Sequence, residues 1–470
     1  MTTISVIGAG YVGLVTAACF AELGHRVNLL EIDHERLNAL ERGILPISEP
    51  NLPEVWQRNL AEGRIRVTGN YIEGLLNSRF AFIAVGTPST KNGKPNLKWV
   101  RLAVKNIAEA ASEPIIAVIK STVPVGTGDL VARLLTCHGR NGHSFPVVSN
   151  PEFLREGLAV FDFMHPNKVL VGASDRNAAD AVAELYKPLD APIIICDNRT
   201  AEMSKYVSNV FLATRISFVN EVARLCDEYD VDIIQVAKIV GTDPRFGGGY
   251  MSAGLGWGGS CLPKDVKGFI HMAKVRKVNL PLVRAVKRIN QQQPGVAVRK
   301  LRQLLGSLEG RTIGVLGLSF KPDSDDIREA SSIFVIRLLE QQGCRIRAYD
   351  PAAMKAVAKI LPQVTYCNDA YEVAKGSDAL ILATEWDEFK ELDMTIIYSL
   401  MHQPIIIDGR NIYDPEKMSQ IGFIYEGMGR HGIREKRAEP VLLSSAQKDM
   451  EPLLRNDLVI SRESSYKSGS

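Results

Sequence analysis

Short apolar runs separated by polar turns dominate the N-terminal part of the chain. Residues 4–7 read as a buried strand, 14–23 as an apolar helix closed by Gly24, and 27–30 as a second strand ending at Glu31. Buried strands are also predicted at 80–85, 115–119 and 146–148, with further candidates at 169–172 and 193–195. The first three of these open into polar loops: Gly86-Thr87-Pro88, Lys120-Ser121-Thr122-Val123-Pro124 and Ser149-Asn150-Pro151-Glu152. Strands alternating with helices in this way build a doubly wound parallel sheet, and loops at strand C-terminal ends line its ligand crevice.

The period then lengthens. Residues 200–227 predict one long helix, with Thr200 as its N-cap and Met203, Tyr206, Val207, Val210, Phe211, Ile216 and Phe218 as its apolar surface. Lys205 and Asn209 are spaced i, i+4, so they share a face. Apolar neighbours make that face a candidate buried site. Helices are predicted at 233–239 and continuously over 264–290. A second unit follows: a strand and glycine turn at 312–317, a helix at 330–341, a strand at 345–350 ending in an acid, and strands at 379–383 and 404–408. From Gly429 the chain mixes charges, serines and short apolar patches, which predicts a weakly structured tail. The predicted fold is α/β, with two Rossmann-like doubly wound domains joined by a long central helix. The expected divisions are a dinucleotide-binding domain (1–198), a central helical domain (199–300), a second Rossmann-like domain (301–428) and the tail (429–470).

Composition narrows the function. The 470 residues carry a formal charge of +3, with no basic stripe, which argues against nucleic acid as the main partner. The seven cysteines are scattered singly, without the paired spacings of a zinc site or a disulfide framework. No apolar run approaches the roughly 20 residues of a membrane helix. The N-terminus runs into a strand without a charged region and cleavage site. A soluble, cytoplasmic protein that binds neither metal nor membrane is expected.

Two sequences point to chemistry. Gly8-Ala9-Gly10-Tyr11-Val12-Gly13 lies between a strand and a helix, with Glu31 about 20 residues on. Gly8 and Gly10 let the backbone approach a pyrophosphate, Gly13 lets helix and strand pack closely, and the helix N-terminus faces the phosphates. Glu31 suits a ribose hydroxyl and repels a 2′-phosphate, favouring NAD over NADP. In the second sequence, Gly254-Leu255-Gly256-Trp257-Gly258-Gly259-Ser260-Cys261 delivers a thiol, with Lys264 and Asp265 close behind. A helix beginning near Pro263 would place its N-terminal amides and an ammonium near Cys261 and favour the thiolate, the form that adds to carbonyls.

These motifs, with Val85-Gly86-Thr87-Pro88, Lys120 to Pro124, Asn150 to Glu156, Ala201 to Tyr206, Phe320-Lys321-Pro322-Asp323 and Asp408-Gly409-Arg410-Asn411, closely resemble those of the UDP-glucose/GDP-mannose dehydrogenase family over residues 1–428. The resemblance implies oxidation of a sugar C6 alcohol to a carboxylate with two NAD and one water, through a thiohemiacetal and a thioester on Cys261. It also implies a homodimer formed at the long helix. Lys205 and Asn209 are implied to stabilise the oxyanion. Asp265 and Thr122 are implied to orient Lys205 and a water, and Glu152 to move protons. Val12, Arg36, Thr87, Thr122, Glu156, Lys264 and Arg328 match cofactor positions, with Glu31 where the family usually has aspartate. Glu152, Phe153, Leu154 and Arg155 match substrate positions, as do Tyr250, Met251, Ser252, Ala253, Gly254, Gly258 and Lys321. Lys205 and Asn209 would also touch the substrate. Arg245 matches an arginine that reaches the substrate of the other subunit.

UDP-glucose is the expected sugar nucleotide, because Thr384-Glu385-Trp386 and Asp408 to Asn411 resemble the UDP-glucose members. GDP-mannose is the alternative within the enzymes. A non-catalytic nucleotide-binding protein is the alternative outside them, and its mark would be loss of Cys261 or Lys205; both are present.

Overall fold

A computed structural model describes residues 1–90, 92–139, 145–247 and 249–433. Eight strands form the first sheet: β1 (Thr3–Ile7), β2 (Arg26–Leu30), β3 (Ile65–Thr68), β4 (Phe80–Ile83), β5 (Ile116–Ile119), β6 (Val147–Ser149), β7 (Val169–Ala173) and β8 (Ile193–Cys196). Their order is 3-2-1-4-5-6-7-8, parallel except for the antiparallel β6–β7 pair. Six strands form the second: β9 (Thr312–Leu316), β10 (Arg345–Tyr349), β11 (Thr365–Tyr366), β12 (Ala379–Leu382), β13 (Ile405–Asp408) and β14 (Ile424–Gly427), in order 11-10-9-12-13-14. Both are doubly wound, and each reverses direction beside its first strand, where ligands bind such sheets. The central strands β4, β5 and β12 are continuous runs of Ile, Val, Leu, Phe and Ala because helices cover both faces.

One helix, Asn198–Tyr229, joins the two halves and spans about 48 Å at the usual rise per residue. Its first half packs on the first sheet, where a Cβ at Gly172 would stand 2.5 Å from the Ala201 methyl. Val219, Ala223 and Cys226, in its second half, belong to the core under the second sheet. The N-cap is Asp197, not Thr200: its carboxylate accepts from the Thr200 amide at 2.9 Å and leaves Thr200 inside the first turn.

Two other expectations change. The helix expected over 264–290 is two helices, Leu262–Val275 and Pro281–Leu305. Lys277 takes a left-handed conformation (φ 58°) between them, and Pro281 lies at the start of the second. The expected tail begins too early at Gly429. The Ile233 amide donates to the Gly429 carbonyl at 2.9 Å, and His431 Nδ1 lies 2.8 Å from Glu426 Oε2. Residues 429–432 therefore belong to the body; the segment from 434 onward lies outside the described residues. No described helix is long and apolar enough to cross a membrane.

Candidate active site

Gly8 closes β1 in a left-handed conformation (φ 97°) that only glycine adopts without strain. Gly13 sits so close to it that a Cβ there would stand 1.8 Å from the Gly8 carbonyl oxygen. Gly10 caps the helix Tyr11–Glu22 without a side chain of its own, leaving first-turn amides free for an anion. Glu31 is buried at the end of β2. Its Oε1 accepts from the Ile32 and Asp33 amides at 2.8 and 2.9 Å; its Oε2 accepts from the Ala9 amide at 3.0 Å and Arg36 Nη1 at 3.2 Å. Three of these partners are fixed backbone. Arg36, with 42% of its side chain exposed, is the one free to make way for a ribose hydroxyl. The glycine cradle, helix N-terminus and carboxylate together fit NAD. In the second unit the corresponding acid, Asp350, is committed to the amides of Leu318, Ser319, Ala352 and Ala353 and to Trp386 Nε1. It is structural and free for no ribose.

Cys261 is the N-cap of the helix Leu262–Val275, where the sequence placed it. The glycine loop before it is braced on three sides. Asn220 of the long helix accepts from the Gly254 amide at 2.7 Å, and Ser217 accepts from Trp257 Nε1 at 3.0 Å. From the helix Pro281–Leu305, Gln293 donates to the Gly254 carbonyl at 2.9 Å and Asn290 bonds both the amide and the carbonyl of Trp257. From the second domain, the Gly409 and Arg328 carbonyls accept from Leu255 and Gly259 at 3.1 and 2.8 Å. None of these polar braces was read from the sequence. Their signal was a set of buried polar residues (Ser217, Asn220, Gln293) interrupting apolar helix faces.

Around the thiol stand two buried pairs. Lys205 Nζ lies 3.0 Å from Glu152 Oε1, with only 5% and 6% of the side chains exposed. Asn209 Nδ2 donates to Asp265 Oδ2 at 2.6 Å. Asp265 was expected to orient Lys205. It bonds Asn209 and Lys264 and acts on Lys205 through its charge, while Glu152 pairs with Lys205 directly. Lys264 consequently spends its ammonium on Asp265 rather than on the thiol. Burial pushes the Cys261 thiol above its ordinary range, Glu152 adds to that, and Lys205 opposes it. That direction is opposite to the one expected from the helix start. The residue itself remains exposed to solvent.

The predicted cofactor side meets the same cluster. Ser260 Oγ donates to Glu156 at 2.9 Å and lies 3.5 Å from Cys261 Sγ. Arg328 approaches Glu156 at 3.8 Å while held by Asp326. Burial and Asp326 push the Glu156 carboxyl up. Thr87 Oγ1 donates to the Thr122 carbonyl at 2.7 Å, joining the loops after β4 and β5. Val12 is half-buried in the first turn of the dinucleotide helix.

On the substrate side, the Phe153 ring lies 5.3 Å from Lys205 Nζ, and the Leu154 amide donates to Glu152 at 2.6 Å. Arg155 is paired with Asp162 at 2.6 Å. Burial lowers Lys321, whose ammonium feels Glu156 and Glu49. Gly258 abuts the second domain: a Cβ there would stand 2.3 Å from the Glu329 carbonyl. Met251, Ser252 and Ala253 lead into the braced loop, and Tyr250 precedes them with φ 61°. Arg245 is not brought to the cluster; its guanidinium is 81% exposed against Asp243. Sequence reasoning missed Glu49, which is buried, binds Tyr11 of the cofactor loop, and accepts from the Gly157 and Ala159 amides at 2.7 and 2.6 Å. A lone glutamate in a polar loop gives no signal of such long-range bonds.

Three consecutive segments match the UDP-glucose/GDP-mannose dehydrogenase profiles: the NAD binding domain over 2–190, the central domain over 199–292 and the UDP binding domain over 314–415. The chain belongs to the UDP-glucose/GDP-mannose dehydrogenase family. It is an NAD-dependent dehydrogenase. It is 42% identical to the UDP-glucose 6-dehydrogenase TuaD of Bacillus subtilis over 92% of this chain and 94% of that one. The UDP-glucose 6-dehydrogenase of Pseudomonas aeruginosa is also 42% identical, over 91% and 97%. A solved UDP-glucose dehydrogenase from Pyrobaculum islandicum superposes with a TM-score of 0.86 at 40% identity, covering 92% of this chain and 98% of that one.

Proposed function

We propose that this enzyme oxidises UDP-glucose to UDP-glucuronate, consuming two NAD and one water, as a cytoplasmic homodimer. The observation that carries the reading is the Cys261 thiol at a helix start among a buried lysine, two carboxylates and an amide. NAD, when bound, supplies the acceptor for each hydride leaving C6. The protein supplies the rest. Lys205 and Asn209 donate to the C6 oxygen as negative charge develops on it, and the hydroxyl proton passes to a water oriented by Asp265 as the hydride leaves. The thiol adds across the resulting aldehyde, its sulfur bonding C6 and its proton passing to the oxygen, to give a thiohemiacetal. Loss of the second hydride, with the hydroxyl proton passing to the same water, gives a thioester. Glu152 accepts a proton from the water that attacks it, and the carboxylate leaves as the C6–sulfur bond breaks. Phe153 to Arg155, Tyr250 to Gly254, Gly258 and Lys321 hold the sugar nucleotide. Arg245, exposed and clear of its own cluster, suits a neighbouring subunit's substrate. A stripe of exposed Met203, Val207, Phe211, Phe218 and Leu225 on the long helix supports dimerisation there.

The test is NADH absorbance with UDP-glucose, UDP-galactose, GDP-mannose and UDP-N-acetylmannosamine. Two NADH per UDP-glucose, and the highest kcat/KM on it, are expected. Equal or greater activity on GDP-mannose overturns the substrate. Light scattering that finds a monomer at micromolar concentration overturns the dimer and the trans role of Arg245.

A further inference from the structure

Lys120 is 4% exposed at the end of β5, yet among the described residues no carboxylate forms an ion pair with it. Its Nζ donates to Asn150 Oδ1 at 3.1 Å and to the Tyr186 hydroxyl oxygen at 3.2 Å, and Tyr186 donates to the same Asn150 oxygen at 2.5 Å. Rings of Phe163 and Tyr186 lie 5.9 and 5.4 Å from the ammonium. Asn150 also donates to the Leu170 carbonyl at 2.8 Å, and its own amide bonds the Ile119 carbonyl at 2.9 Å. It stands two residues before Glu152.

A buried ammonium without a bonded carboxylate costs several kcal/mol. If Lys120 only filled space, an apolar side chain would serve better. Its charge has one use within reach: Glu152 is held below the ordinary carboxylate range against its burial by Lys205 first, then by the Leu154 amide, and then by Lys120, the one other cation acting on it. In the reaction proposed above, on which this inference rests, Lys205 turns its ammonium toward the substrate oxygen. Glu152 then needs another cation to remain a base. We propose that Lys120 is a positioning residue: it anchors Asn150, and so the turn into Glu152, and keeps the Glu152 carboxylate charged while Lys205 serves the substrate.

The groups facing Lys120 are Glu152 from the loop after β6, Lys205 from the long helix, Cys19 from the helix Tyr11–Glu22, and the Tyr186 hydroxyl. Burial pushes Lys120 down to about 8. Its charge is thus present at neutral pH and lost as pH rises through that value.

The experiment is the pH dependence of kcat for wild type and Lys120→Met. In the variant the acidic limb moves up by about one pH unit, the scale of a nearby charge. Below the limb kcat falls about tenfold, while KM for UDP-glucose and NAD changes less than about twofold, since Lys120 is buried and offers no surface to a ligand. An unmoved acidic limb, with activity lost uniformly, overturns the proposal and leaves Lys120 a structural residue. Infrared titration of the Glu152 carboxyl band, assigned by its loss in Glu152→Gln, reads the same midpoint without substrates. An equal midpoint in wild type and Lys120→Met overturns the proposal even if the wild type turns over no UDP-glucose, a result that sinks only the functional reading. Should Lys120→Met fail to fold, Tyr186→Phe removes one acceptor and keeps the charge. The alkaline limb then drops below its wild-type position, and an unchanged limb overturns the proposal.

Discussion

Replacing Lys205 by methionine separates two roles that the geometry assigns to one ammonium. The Lys205–Glu152 pair is 3.0 Å long, with 5% and 6% of the side chains exposed, so it belongs with buried pairs rather than surface ones. Removing one partner of such a pair costs about 3–5 kcal/mol, because the other is stranded. Glu152 would keep only the Leu154 amide and the more distant Lys120 charge. The cost depends on pH with a definite sign. Glu152 is held below its ordinary 4.5, so its stabilisation is present above that value and lost as pH falls through the folded one. Lys205 is held above its ordinary 10.5, mainly by Glu152 working against burial, so its share is present below 10.5 and lost as pH rises through the folded value. Lys205→Met should therefore be destabilised in urea at pH 7 and much less so at the acid end. Turnover should fall about 10²–10³-fold, the usual loss for one oxyanion donor, with KM changed far less. Adding Glu152→Gln removes the stranded charge and should restore much of the stability but none of the turnover. A double variant that regained turnover would refute the oxyanion role and leave Lys205 merely a counter-ion.

Cys261 should be alkylated by iodoacetamide with a midpoint above that of a free thiol, as burial and Glu152 dictate. Lys205→Met should raise the midpoint further; a midpoint below the free-thiol value would contradict the electrostatics described. Gly13→Ala must displace the dinucleotide helix, because the new methyl would lie 1.8 Å from backbone that cannot yield. Isothermal titration should show NAD affinity lowered by more than about 100-fold, equal to roughly 2.7 kcal/mol, and unchanged affinity would remove this loop from the cofactor site. Glu31→Gln should raise KM for NAD and narrow the preference over NADP, because the repelling charge is gone. An unaltered NAD/NADP ratio of kcat/KM would show that Glu31 serves only the backbone amides it binds.

The first βαβ unit was legible because its signals are local: an apolar strand, glycines at fixed spacing, and an acid at the next strand end. The long helix was legible from its period, and Lys205 with Asn209 from their shared face. What escaped was decided at long range. β3 and β14 are edge strands whose partners lie in other segments. Asp197 outcompetes Thr200 as a cap because its carboxylate meets the free amides one turn earlier. The break at Lys277 ends a helix whose apolar pattern continues across it. The partner of Lys205 could not be read from spacing, since Glu152 comes from a different domain's loop. Lys120 looked like part of a loop motif until burial showed that its charge has nowhere else to go.

The ties from Gly254, Leu255 and Gly259 make the nucleophile's loop a passenger of the second sheet and the long helix. Glu152, by contrast, rides on the first. A wedge that pried the two lobes apart by a bond length or two would disarm the chemistry while leaving both lobes folded. Catalytic competence is thereby made hostage to the spacing of the lobes, which gives the architecture an off position that costs no unfolding.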